Sequence, residues 1–216
     1  MHIFKTAGSS VRLRIERSID VRRITGVYTT SDLRSRVKGY VPEGDIRSTG
    51  AELYYGHFFY GLHDRLGVPP TYGTFLRDPI ERALSHYRHF ERFSTTGPRT
   101  LADHLAEQNT QLDNLMTRMI SGHREIPFGE IHRPHLDAAL ENLNSFAFVG
   151  LASALEASMN TLSETLGVTI EPAPDVNVNF EPTSATDEDK QRLAELNWAD
   201  LELYDLALQK VSDSGI

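Results

Sequence analysis

The first half of the chain alternates short apolar segments with segments of helical periodicity. Strands are predicted at residues 1–4, 23–29, 51–57 and 70–76, and helices between them at residues 9–18, 31–37 and 58–66. Strands that alternate with helices are typical of a parallel sheet whose strands are joined by helical crossovers. This half of the chain therefore predicts an α/β fold.

The pattern becomes mostly helical after residue 78. Asp78 is a suitable N-cap and Pro79 fits the first position of a helix. Apolar side chains then recur at the i, i+3, i+4 and i+7 spacing of a buried stripe: Ile80, Ala83, Leu84 and Tyr87. Further helices are predicted at 100–108, 111–121, 134–144, 152–166, 186–195 and 198–212, with a strand at 146–151 and a proline-containing loop at 169–184.

Length and charge narrow the class of protein. The 216 residues suit a single domain, 1–216, and no flexible linker divides the chain. The formal net charge of -8 argues against a general nucleic-acid binder, whose surface must be basic. We expect no membrane segment, because no apolar run approaches the roughly 20 residues of a span. The absence of cysteine excludes disulfides and thiolate metal sites and is compatible with a cytoplasmic setting.

The stretch HIFKTAGSS at residues 2–10 has the composition of an anion-binding loop. Backbone N–H groups and the helix dipole converge where a strand turns into a helix. Lys5 would add a full charge, Gly8 would allow close approach, and Ser9 and Ser10 would add hydroxyl donors. An ordinary turn between a strand and a helix is the competing interpretation of this stretch taken alone. Because these residues begin at His2, we expect further natural residues upstream and no leader peptide.

A second candidate anion contact follows the strand predicted at 70–76. Arg77 comes directly after this strand, and Ser85 lies two turns into the following helix. Ligands of parallel sheets bind at the carboxyl ends of the strands, so these side chains could meet a second phosphate there. The competing interpretation is a surface ion pair of Arg77 beside a helix cap.

Both segments together resemble the donor-binding motifs of the Golgi-type carbohydrate O-sulfotransferases. HIFKTAGSS resembles their phosphosulfate loop, H-I-P-K-T-A-G-[ST]-[ST], with Phe4 in place of proline. RDPIERALSHY at residues 77–87 resembles their 3′-phosphate motif, R-D-P-x-x-R-x-x-S-x-[YW]. Within that family, the chain resembles most the heparan sulfate 6-O- and 2-O-sulfotransferases and their bacterial relatives. Weaker similarities in YYGHFFYGLH, NLMTRMISG and FAFVGL extend the resemblance over residues 2–151.

The resemblance implies a fold, a reaction and a set of residues. The fold would be a P-loop NTPase-like parallel β-sheet flanked by helices, with a mostly helical C-terminal half. The co-substrate would be 3′-phosphoadenosine 5′-phosphosulfate, whose sulfuryl group passes, without a metal, to a hydroxyl of a carbohydrate acceptor. Arg77 and Ser85 would hold the 3′-phosphate. The 5′-phosphosulfate would be held by Lys5, Thr6, Ala7, Gly8, Ser9 and Ser10.

Sulfuryl transfer also needs a base to take the proton of the acceptor hydroxyl, and histidine suits neutral pH. His57 follows a predicted strand and matches the position where the family carries its catalytic histidine; His63 is the second choice. His2 is expected to pack under the loop, and His86 and His89 to be solvated.

Two other groups of residues are open to more than one interpretation. Arg118 could reach the active site or form a buried structural ion pair. A zinc site at His123, His132 and His135 is conceivable, but histidines in a solvated loop fit this weak spacing better.

Two other functions remain open from sequence alone. A small kinase could use a related sheet, although the order of a Walker A motif is absent. A non-catalytic module could keep the nucleotide pocket, although both Lys5 and His57 are present.

Overall fold

The computed structural model describes residues 1–28, 43, 46–47, 50–93, 100–172 and 185–213. The chain is α/β. The strands in the described residues are β1 (Ile24–Val27), β2 (Leu53–Gly56), β3 (Gly73–Leu76) and β4 (Phe148–Leu151). The helices are α1 (Gly8–Ser18), α2 (Leu62–Leu66), α3 (Pro79–Phe93), α4 (Leu101–Ala106), α5 (Leu115–Ser121), α6 (Arg133–Ser145), α7 (Leu155–Leu166), α8 (Asp187–Leu196) and α9 (Trp198–Asp213). None of the helices in these ranges combines the length and apolar character needed to cross a membrane.

The strands form two small parallel sheets. β1 pairs with β2, and β3 pairs with β4, so four of the five predicted strands are confirmed. The segment predicted as a strand at 1–4 is not assigned as one, but it contacts both sheets. The Met1 amine donates to the Gly73 carbonyl at 2.7 Å, and the His2 N–H donates to the Gly56 carbonyl at 2.7 Å. Residues 1–3 therefore join β2 to β3.

Apolar side chains cover both faces of the strands. On one face Phe75 and Phe148 pack with Val11 and Ile15 of α1 and with Leu162 of α7. On the other face Leu76 and Leu151 pack in a larger cluster with residues of α2, α5, α6 and α9. Neighbouring residues of a strand point to opposite faces, which explains why Phe75 and Leu76 belong to different clusters. Burial on both faces is usual for parallel strands.

Two predicted helices begin later than their periodicity indicates. The helix predicted at 58–66 begins at Leu62, because Gly61 has φ 98° and the Tyr60 N–H donates to the Met119 carbonyl. The helix predicted at 111–121 begins at Leu115, after Asn114 in a left-handed conformation with φ 45°. The helix predicted at 31–37 and most of the loop at 169–184 lie outside the described residues.

A buried polar network joins the helices of the second half. The Asn114 Oδ1 accepts hydrogen bonds from the N–H groups of Ala199 (2.9 Å) and Asp200 (3.1 Å), at the start of α9. In return, the Asp200 carboxylate accepts from the N–H groups of Met116 (3.0 Å) and Thr117 (2.7 Å), at the start of α5. Each helix thus supplies the side chain that caps the other, which fixes α5 against α9.

This reciprocal capping predicts that Asn114→Ala lowers the free energy of unfolding by roughly 2–4 kcal/mol. A lost cap costs about 1 kcal/mol, and the buried N–H groups left without an acceptor add to it. Urea denaturation measures the change. Asn114→Gly should lose most of the same stability, although glycine tolerates the left-handed backbone.

Asn144→Ala on the exposed side of α6 is the matched control, expected to change stability by less than about 0.5 kcal/mol. Equal effects of Asn114→Ala and Asn144→Ala would contradict the capping role.

Candidate functional site

The residues singled out in the two motifs lie at one edge of the strands. Arg77 follows the last residue of β3, and His57 follows the last residue of β2. Lys5 follows residues 1–3, which run between these strands. The carboxyl ends of parallel strands are where ligands bind in α/β sheets. The structure therefore brings both motifs to the usual position of a ligand site.

The loop between residue 3 and α1 is tightly wound. Lys5 (φ 70°) and Ala7 (φ 64°) both adopt the left-handed conformation, which is uncommon for residues other than glycine. The Thr6 hydroxyl donates to the Ile3 carbonyl at 2.9 Å, so it closes the loop internally. Strained backbone of this kind is found at binding sites, where the surrounding structure maintains it.

The backbone N–H groups at the start of α1 are of two kinds: some are bonded within the turn, and others have no partner within the helix. The Ser10 N–H donates to the Ala7 carbonyl at 3.0 Å, which corrects the expectation that it points at an anion. The first N–H groups of a helix have no partner within the helix. Those of Gly8 and Ser9 are therefore the ones that α1 can offer to an anion, together with the positive end of its dipole.

Gly8 is needed for a reason that the motif alone does not reveal. A Cβ atom at this position would lie 1.6 Å from Nε2 of His2, because the His2 ring packs directly on Gly8. The ring is also stacked on Tyr55, with centroids 5.7 Å apart. His2 thus packs under the loop, as predicted, and burial holds its pKa well below the usual value of 6.5.

His57 has a defined tautomer. Its Nδ1 lies 2.8 Å from the His2 carbonyl oxygen. A carbonyl can only accept, so Nδ1 carries the proton and the neutral ring keeps its lone pair on Nε2. Burial lowers the pKa of His57 from 6.5 to about 4, although the hydrogen bond to His2 acts in the opposite direction. The ring is therefore neutral at physiological pH and able to accept a proton at Nε2.

Lys5 and Arg77 meet at the site. One guanidinium nitrogen of Arg77 donates to the Lys5 carbonyl at 3.5 Å, a long contact, and another lies 3.5 Å from the Glu81 carboxylate. Partial burial, and then the charge of Arg77, lower the pKa of Lys5. The pKa of Arg77 is lowered by burial as well. Burial is the first cause of both shifts, so Lys5 and Arg77 both lie in a partly dehydrated place.

Arg82 and His86 add buried donors that the sequence analysis did not assign to the site. Arg82 is completely buried and His86 is 4% exposed, which corrects the expectation that His86 is solvated. All three nitrogens of the Arg82 guanidinium and both ring nitrogens of His86 are without a hydrogen-bond partner in the described part of the chain. Two signals pointed to them: Arg82 is the second arginine of the 3′-phosphate motif, and His86 follows it at the i, i+4 spacing on α3.

Electrostatic coupling places these groups close to the two motifs. Burial, the charge of Arg82 and then that of Lys5 lower the pKa of His86 to about 3. The pKa of Arg82 is lowered by burial and by Arg77, while Asp200 acts in the opposite direction. Ser85 is also buried, 3% exposed, on the same helix. Arg82, Ser85 and His86 therefore form a buried polar group on the inner face of α3.

His63, the second choice of base, lies elsewhere. Its Nδ1 is 2.9 Å from the Tyr72 hydroxyl, which precedes β3. Both side chains line an apolar cavity of about 340 Å³ at the amino ends of the strands, together with Met1, Leu53 and Phe148. Lys5, His57 and Arg77 do not line this cavity. His63 is thus separated from the residues of the two motifs.

Arg118 forms the structural ion pair rather than reaching the site. Its guanidinium bonds the Asp113 carboxylate and the carbonyl oxygens of Asp113, Ile126 and Pro127. The rings of His123 and His132 both contact His135, with centroids 5.2 and 6.0 Å apart. Nowhere in the described ranges do three or more His, Asp or Glu side chains form a group that could hold a metal ion.

Comparison with known proteins gives no assignment. No protein-family model matches the chain, and no curated protein matches it. The resemblance to carbohydrate O-sulfotransferases therefore depends on the two motifs and on the geometry that brings them together.

The contact between Gly8 and His2 predicts a specific double-mutant result. Gly8→Ala should displace the His2 ring and lower the free energy of unfolding by about 1–3 kcal/mol, as overpacking does. His2→Ala opens the space, so adding Gly8→Ala to it should cost much less. Thermal unfolding of the wild type, both single variants and the double variant measures this coupling. Additive effects of the two substitutions would contradict the packing described here.

Proposed function

We propose that the chain is a sulfotransferase that moves a sulfuryl group from 3′-phosphoadenosine 5′-phosphosulfate to a hydroxyl of a carbohydrate acceptor. The observation that carries the proposal is the meeting of the two motifs at the carboxyl ends of the strands. Arg77 donates to the Lys5 carbonyl there, and burial is the first cause of the lowered pKa of Lys5, Arg77 and Arg82. Cationic side chains in a partly dehydrated place attract an anion more strongly than they would in open water, so we propose that an anionic ligand completes this site.

The shape of the site supports a nucleotide with two separated phosphate groups. The start of α1 offers the N–H groups of Gly8 and Ser9 beside Lys5, as the resemblance requires for a 5′-phosphosulfate. Arg77 and Ser85 belong to a different loop and helix and suit the 3′-phosphate. An arginine presents a fork of donors that matches phosphate oxygens.

The position of residues 1–3 supports the finer proposal of a P-loop-like sheet. Their hydrogen bonds to Gly56 and Gly73 place them between the two parallel pairs. In a continuous parallel sheet of this kind, the phosphate-binding loop follows the strand in the middle. The loop that contains Lys5 follows residues 1–3 in that way.

The chemistry proposed is an in-line displacement at sulfur. The acceptor oxygen forms the new S–O bond while the bond from sulfur to the bridging phosphate oxygen breaks. The acceptor proton passes to Nε2 of His57. The electron pair leaves with the 5′-phosphate of adenosine 3′,5′-bisphosphate, whose developing charge Lys5 stabilises. Positioning and charge stabilisation supply most of the catalysis in transfers of this type.

The carbohydrate acceptor is supported by the resemblance of the two motifs. Acceptor contacts would come from loops around the site, at 41–50, 94–99 and 123–134. The second of these loops and most of the first lie outside the described residues.

The donor assignment predicts a selective thermal shift. Adenosine 3′,5′-bisphosphate should raise the melting temperature, because a ligand that binds only the folded state stabilises it. ATP with magnesium should raise it much less, since ATP has no 3′-phosphate for Arg77 and Ser85. Arg77→Ala should weaken bisphosphate binding about 30-fold, or roughly 2 kcal/mol. This loss of affinity lies at the lower end of the range for a buried charge pair, because 30% of the Arg77 side chain is exposed.

Arg192→Ala removes the same charge from an exposed position of α8, outside both motifs, and serves as the control. Calorimetry with the bisphosphate should not distinguish it from the wild type. Equal stabilisation by ATP and by the bisphosphate would favour a kinase instead. A bound bisphosphate without transfer to any acceptor in a glycan screen would favour a non-catalytic module.

The environment of His57 predicts that activity persists to an unusually low pH. The neutral ring is the active form, so the rate should be retained above its pKa and lost as pH falls through it. With a pKa of about 4, kcat/KM should stay constant from pH 8 to about pH 5. His57→Gln should lower kcat by roughly 10²–10⁴ and leave bisphosphate affinity nearly unchanged.

His63→Ala is the control for this prediction and should cost little activity, since His63 contacts Tyr72 instead. Circular dichroism at each pH shows that the protein remains folded. If His57→Gln keeps the rate of the wild type, the acceptor proton does not go to His57.

A further inference from the structure

The imidazole of His57 is held between aromatic rings. Phe4 is stacked on it, with centroids 3.6 Å apart and planes inclined by 10°. Tyr28 meets it edge-on, with centroids 4.9 Å apart and planes at 84°. The His2 ring lies 4.4 Å away, tilted by 31°. With Nδ1 bound to the His2 carbonyl, these contacts define the plane of the imidazole and the direction of Nε2.

Phe4 differs from the other two rings in its geometry. It is the ring that lies parallel to the imidazole at contact distance, so it covers one whole face. Its own position is supported, because it packs against the large apolar cluster of the fold. The loop motif that this chain resembles has proline here, so an aromatic cover is a feature of this sequence. Aromatic stacking stabilises a pair of rings beyond the burial of their surface.

We propose that Phe4 is a positioning residue for His57: its ring fixes the imidazole plane and shields one face from water, so that an acceptor hydroxyl meets the ring only along its Nε2 edge. This role rests on the proposed function in one respect, the identity of His57 as the base. The shielding itself is a property of the protein without ligand.

The groups that face His57 decide how its titration responds to Phe4. Burial is the largest cause of its lowered pKa, and the charges of Arg12 and the Met1 amine add to the effect. The His2 carbonyl acts in the opposite direction, and Tyr28 presents its ring edge. Replacing Phe4 with a residue that cannot stack reduces the burial of His57 and leaves the charged groups around it in place. The pKa of His57 should then rise from about 4 towards 6.5.

The first experiment follows the titration of His57 by NMR in Phe4→Leu, Phe4→Ala and Phe4→Tyr, with His57→Gln to assign its signals. In the wild type the ring protons should be shifted by the aromatic ring current and titrate near pH 4. In Phe4→Leu and Phe4→Ala that shift should disappear and the pKa should rise. Phe4→Tyr keeps the stack and should behave like the wild type. The signals of His63, which contacts Tyr72, are an internal control whose chemical shifts at neutral pH should not change.

Phe4→Leu keeps an apolar side chain in the core but lacks the flat ring that covers the imidazole, so it tests the inference even if Phe4→Ala does not fold. An unchanged His57 titration in folded Phe4→Leu would overturn the inference, whatever the enzyme does.

The second experiment measures transfer kinetics. Phe4→Leu should lower kcat by about 10- to 100-fold, as loss of alignment does, while bisphosphate affinity stays the same. The acid limit of its rate should move to higher pH, and Phe4→Tyr should restore both properties. A kcat in Phe4→Leu equal to that of the wild type would overturn the positioning role. Absence of transfer in the wild type would instead overturn the proposed function, and the NMR titration would still decide the shielding.

Discussion

The main chain of His2 is the constraint on which the candidate site depends. Its N–H donates to the Gly56 carbonyl at the end of β2, and its carbonyl accepts from Nδ1 of His57. Its ring fills the space that the missing Cβ of Gly8 leaves at the start of α1. One residue thus joins β2, the His57 ring and the start of α1. Loss of either hydrogen bond would leave a polar group without its partner, and loss of the ring would leave a void beside the buried Gly8, so these contacts hold the three elements together.

Electrostatics gives this site its chemical character. Burial is the first cause of the lowered pKa values of Arg77 and Arg82, while the carboxylates of Glu81 and Asp200 act in the opposite direction. Interactions between charges are stronger in such a partly dehydrated environment than in water. The neutral His57 ring carries its proton on Nδ1, so its Nε2 keeps a lone pair. Under the proposed function, binding of the anion and acceptance of the proton therefore fall to different groups.

The helices of the second half of the chain pack against α3, which carries Arg82 and His86. Asp200 caps α5 and also stabilises the buried charge of Arg82 on α3. Asn114 fixes the start of α9 in the same network, which brings together residues that are 85 positions apart in the chain. A change in this network would therefore reach the inner face of α3 through Asp200. This explains how a region without obvious chemistry contributes to the geometry of the motifs.

Sequence alone determined the elements and the motifs of this protein. Alternating and helical periodicities predicted the strands and the long helix after Asp78, because side chains that must be buried recur at the period of the backbone. The two anion motifs were recognisable because their residue types have few other uses in that order. Burial and partners were decided only by tertiary structure. His86 lies in a helix whose pattern fits either solvent or core, and packing made it buried. Phe4 and Gly8 acquire their roles from His57 and His2, which contact them across the loop. Separation along the chain carries no information about such contacts, because they form only when the strands are brought side by side.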